Sequence, residues 1–167
     1  MTESTTPTAT STTVQVNRVY IKAKAQAVWD AIIKPEWNKR YGYESPGEYD
    51  LRPGGAYRAL ASEVMREHGA PEVIIEGEVV EVDPPRKLVQ TWRAVFDPEM
   101  AAEGFTRLTW ELEEEGGVTK LTVTHELDGA PKSAAQVGGE IPDAGGGWSY
   151  ILSDLKTLLE TGRTLEG

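Results

Sequence analysis

The hydrophobic pattern of this chain changes period at the end of a long block of strands, and that change does most to limit what it can fold into. In the strand-like runs that end at Leu127 apolar residues recur at every second position. Leu108, Trp110 and Leu112 share one face of a run, and Leu121, Val123, His125 and Leu127 share one face of the next. From Trp148 the spacing becomes about 3.6. Trp148, Ile151, Leu152, Leu155, Leu158 and Leu159 make one helical stripe; Ser153, Asp154, Lys156 and Glu160 are predicted to face away, with Gly162 as C-cap. A block of strands followed by one amphipathic helix buries both apolar surfaces by packing one on the other. The pattern therefore predicts an α+β domain with an antiparallel sheet.

The remaining punctuation divides the chain further. Val14–Ala23 reads as a strand, and Ala25–Lys34 as a helix with Val28, Trp29, Ile32 and Ile33 in its stripe. Pro35 ends that helix or begins a second short one, Glu36–Tyr41, stopped by Gly42. Strands Glu48–Leu51 and Ala56–Val64 flank the turn Arg52-Pro53-Gly54-Gly55. Val73–Val82 and Lys87–Phe96 flank Asp83-Pro84-Pro85, and Thr106–Glu113 pairs with Val118–Leu127 across Gly116-Gly117. Asp97–Gly104 is expected as a loop and Asp128–Gly147 as a long Gly/Pro-rich connection. Residues 1–13, rich in Thr and Ser, are expected to be a disordered tail, 14–163 a single domain, and 164–167 a C-terminal tail.

Composition removes several kinds of function. A net charge of −10 argues against nucleic acid and against anionic membrane surfaces as partners. Without cysteine there is no disulfide, thiolate zinc site or thiol nucleophile, and with only His68 and His125 no histidine metal site is expected. No run approaches the ~20 apolar residues of a membrane span, and no secretory leader is evident. The expected location is cytoplasmic, and no cofactor is expected.

Ala27-Val28-Trp29-Asp30-Ala31-Ile32, Asp50-Leu51-Arg52-Pro53-Gly54-Gly55, Gly77–Trp92 and Gly146 through Gly162 occur in an order and spacing that resembles the START-related superfamily of birch-pollen allergens and aromatase/cyclase domains. Within it the chain is most similar to proteins like the activator of the heat-shock protein 90 ATPase. The resemblance implies a helix-grip fold: a curved antiparallel sheet of about six or seven strands around the C-terminal helix, two short N-terminal helices sealing one end, and a cavity between. It carries over no catalytic motif.

Candidate cavity residues are Tyr41, Tyr57, Trp92, Leu108, Trp110, Val123, His125, Trp148 and Leu152. Trp92, Trp110 and Trp148 lie on three elements expected to enclose one space, although aromatics at core periodicity are more often plain packing. His125 on an inward face could orient a ligand or act as a base; a buried histidine satisfied by hydrogen bonds is the commoner outcome. Tyr41 and Tyr43 belong to the capping segment. Glu76 and Glu78 are expected outward, because buried charges are costly. The glycines at 145–147 lack the lysine of a phosphate loop, and Ser149 and Ser153 lack triad partners. The leading expectation is a module that binds a hydrophobic or amphipathic small molecule. The alternatives are a cyclase- or dehydratase-like enzyme using His125, and a chaperone-associated interaction domain; a homodimer through the last helix or a sheet edge is open.

Overall fold

The computed structural model describes residues 13–167. Its elements run β1 (Val14–Ile21), α1 (Ala25–Ile33), α2 (Pro35–Asn38), β2 (Gly47–Tyr49), β3 (Ala56–Leu60), α3 (Glu63–Glu67), β4 (Val73–Asp83), β5 (Lys87–Ala94), α4 (Pro98–Ala102), β6 (Thr106–Glu115), β7 (Val118–Glu126), α5 (Pro131–Val137) and α6 (Gly147–Thr161). The strands form one seven-stranded antiparallel sheet in the order β1-β7-β6-β5-β4-β3-β2. This is the curved α+β helix-grip architecture the periodicity and the resemblance imply. Among the described residues no helix is long and apolar enough to cross a membrane.

Register places the inward faces. Gly116 and Gly117 both have positive φ, 62° and 82°, the two-residue turn that matches strand twist. That turn fixes the β6–β7 pairs Leu112↔Leu121, Trp110↔Val123 and Leu108↔His125, all of whose members are buried. The sheet bends at β4. Gly77 lies so close to the Thr91 carbonyl of β5 that a Cβ there would overlap it, and the β4–β5 register shifts between Val79 and Glu81. On the concave side α6 buries Trp148, Leu152, Leu155 and Leu158. Each fully buried leucine contributes about 1.5–3 kcal/mol relative to exposure. Gly162, at φ 80°, ends the helix, its N–H bonded to the Leu158 carbonyl.

Several local expectations differ from the structure. The second helix begins at Pro35 and stops at Asn38, whose side-chain amide binds the Ile32 and Gly47 carbonyls and accepts from Gly47 N–H. The strand expected to reach Val64 ends at Leu60, because Ser62 Oγ accepts from Met65 N–H at 3.2 Å and starts α3. The loop after Phe96 contains α4, capped by Asp97 with Pro98 in the first turn. The long connection contains α5; the Glu103 carboxylate accepts from Lys132 N–H, Ser133 N–H and Ser133 Oγ–H at its start. That cap comes from a distant part of the chain.

Asp154 also corrects the helical pattern. It was expected on the solvent face, yet it is 2% exposed. Its carboxylate accepts from Gly42 N–H at 2.8 Å and from Leu165 N–H at 2.7 Å. Leu165 thus bonds to the helix from within the segment expected as a tail. The expected N-terminal tail lies outside the described residues except for Thr13, whose carbonyl accepts from Leu127 N–H. Glu78 is exposed and half-buried Glu76 pairs with Arg93.

Candidate functional site

A pocket of about 400 Å³ opens where the concave sheet, the α1–β2 segment and the start of α6 meet. Strands β3, β4, β5 and β6 supply Tyr57, Ala59, Ile74, Trp92 and Trp110; the capping segment supplies Tyr41 and Tyr43; α6 supplies Trp148 and Ile151. Met65 and Ala70, beyond the point where β3 gives way to α3, close one side. Half-exposed Phe96 marks the rim. Among the described residues no charged side chain lines the pocket.

Most polar atoms of the wall are occupied by the protein itself. Tyr41 donates to the Ala31 carbonyl at 2.8 Å, and Tyr43 accepts from Gly147 N–H at 2.9 Å. Gln90, fully buried on β5, accepts through one oxygen from Tyr49 at 2.7 Å and from the Trp110 indole at 3.1 Å. Burial pushes the Tyr41, Tyr49 and Tyr57 phenols well above their usual pKa, so they remain neutral.

His125 sits behind this wall. The Trp148 indole N–H donates to its Nδ1 at 3.1 Å, and its Nε2 lies 2.8 Å from Thr106 Oγ1. An indole nitrogen only donates, so Nδ1 is the bare nitrogen and Nε2 carries the proton. Thr106 gives its own hydrogen to the Trp92 carbonyl and is left to accept from Nε2. The imidazole meets Trp92 edge-on at 4.9 Å between ring centres. Full burial pushes its pKa down to about 3, so it is neutral.

Of the sequence candidates, Tyr41, Tyr57, Trp92, Trp110 and Trp148 line the pocket together. Trp110 and Trp148 touch edge-to-face at 5.4 Å. Leu108, Val123, His125 and Leu152 are buried but do not form its lining. Sequence reasoning missed Gln90 and Thr106. Gln90 alternates with Leu88 and Trp92, and a lone amide in such a row is the signal that a polar partner waits inside. Among the described residues no cluster of His, Asp or Glu is placed to hold a metal.

The arrangement has recognisable counterparts. A family model described as activator of Hsp90 ATPase homolog 1-like protein matches residues 22–160. No curated protein matches the chain. Among solved structures it is similar to CalU16 from Micromonospora echinospora, at 20% identity and a TM-score of 0.61, over 92% of this chain and 87% of that one. It is also similar to PFC0360w, an HSP90 activator from Plasmodium falciparum, at 18% identity and a TM-score of 0.61, over 88% of this chain and 96% of that one. DynU16, from the dynemicin biosynthetic locus, shares 22% identity with a TM-score of 0.64 over 90% of this chain, which spans only 48% of that protein. At these identities the likeness is one of fold.

Proposed function

We propose, from the premise that this chain belongs to the activator of Hsp90 ATPase homolog 1-like family, that it is a binding module holding a hydrophobic or amphipathic small molecule in the pocket between sheet and α6. One observation carries this reading: a space of about 400 Å³ is walled mostly by aromatic and aliphatic side chains, with no charged one among the described residues. Ligand sites are concave, mostly apolar, and of this order of size. Tyr41, Tyr57, Trp92, Trp110 and Trp148 supply the wall. A catalytic role for His125 would require it to reach a substrate. Its absence from the lining and the commitment of both nitrogens support binding over acid–base chemistry.

Native mass spectrometry of freshly purified protein, followed by thermal denaturation against small apolar and aromatic compounds, tests the reading. A ligand at a hundred times its dissociation constant stabilises by about 2.7 kcal/mol. For a domain of this size that raises Tm by roughly 5–10 °C. Absence of any co-purified mass, together with no shift by lipids, aromatic compounds or polyketide-like compounds, refutes the proposal.

A further inference from the structure

Three tryptophans line the pocket, and their indole N–H groups differ in one respect. Trp110 donates to Gln90 and Trp148 donates to His125. Trp92 is 5% exposed and donates to no group among the described residues. Its nitrogen is not sealed either, since the enclosed side-chain atom without a partner is Arg93 Nε. An indole N–H held in a dry wall is normally matched to an acceptor, because an unmatched one loses its hydration for nothing. Tyr57 stands in the same wall. Its ring stacks on Tyr49 at 4.5 Å, and the Tyr49 oxygen, whose proton goes to Gln90, remains an acceptor beside the Tyr57 hydroxyl.

We infer that the pocket selects an uncharged aromatic or alicyclic molecule bearing a hydrogen-bond acceptor, such as a ketone, which takes the Trp92 indole N–H. This rests on the binding reading above and adds to it the charge and polarity of the occupant. The absence of cationic lining excludes a carboxylate from the buried end, since an unpaired ion taken out of water costs several kcal/mol. The spare indole N–H only donates, so the complementary function on the ligand is an acceptor.

Three probes of nearly equal shape test this: 2-acetylnaphthalene, 2-ethylnaphthalene and 2-naphthoate, titrated into the whole chain at neutral pH. Water solvates the ketone better than the ethyl group, so a purely apolar pocket favours the ethyl compound. The inference requires the reverse, with the acetyl compound bound roughly tenfold tighter and naphthoate weakest. Trp92→Phe should remove the acetyl preference, the acetyl compound losing about tenfold more affinity than the ethyl compound. In the wild type, the assigned Trp92 indole N–H signal should move with the acetyl compound and stay in place with the ethyl compound, a readout that survives even if the variant misfolds. Equal or reversed affinities, a preference retained in Trp92→Phe, an unmoved indole signal, or naphthoate binding tightest each overturns the inference while leaving the pocket a binding site. Failure of both neutral probes to bind overturns this inference together with the binding reading.

Discussion

Acidification should destabilise this protein well before its carboxylates begin to titrate. His125 ionises near 6.5 when exposed, and burial pushes it down to about 3 in the folded state. Between those values the unfolded chain binds a proton that the fold excludes, so stability falls as pH falls. The slope is about 1.4 kcal/mol per pH unit once pH is below the unfolded value. From pH 7 to pH 5 the loss sums to about 2 kcal/mol. Asp97, held low by Lys132, and Glu160, held low by Lys156, start from ordinary values of 3.8 and 4.5, so their losses come at lower pH. Urea unfolding at pH 7, 6 and 5 measures the effect against His125→Gln, which keeps a donor for Thr106 and an acceptor for Trp148 but cannot titrate. The wild type should lose about 2 kcal/mol more than the variant over this range. Nitrogen chemical shifts should show His125 neutral with the proton on Nε2 at pH 5. Equal losses in the two proteins, or an imidazolium signal at pH 5, would refute the account of a sealed and internally bonded ring.

Two further substitutions probe the polar interior. Gln90→Leu strands the Tyr49 hydroxyl and the Trp110 N–H, and should cost about 2–4 kcal/mol in urea unfolding; a cost below 0.5 kcal/mol would mean those donors find other partners. Asp154→Ala strands the Gly42 and Leu165 amides and should cost about 2–4 kcal/mol; unchanged amide exchange at both positions would show that the carboxylate does not hold them.

Legibility in the sequence followed the range of the cause. The β6–β7 hairpin was readable because alternation and the Gly116-Gly117 turn are local and agree. The last helix was readable because its period is unmistakable. Short helices were not. Ser62 and Asp97 are caps of ordinary type, but each opens only five helical residues beside a strand-like run. The start of α5 depends on Glu103, which no local window contains. The convergence of Trp92, Trp110 and Trp148 followed from placing three inward faces around one helix. Whether His125 faces pocket or protein turned on indole and hydroxyl orientations that alternation cannot supply. Asp154 fits the apolar stripe by position, three residues after Ile151 and four before Leu158; only its charge argued it outward.

That carboxylate ties together parts of the chain with very different duties. Gly42 borders the pocket, packed against Ile151, while Leu165 lies past the end of α6. A change at Gly42 therefore bears on the same carboxylate that anchors the final residues. Deuterium uptake at the Leu165 amide thus reports from afar on the Gly42 end of the pocket wall, through the one side chain both amides share.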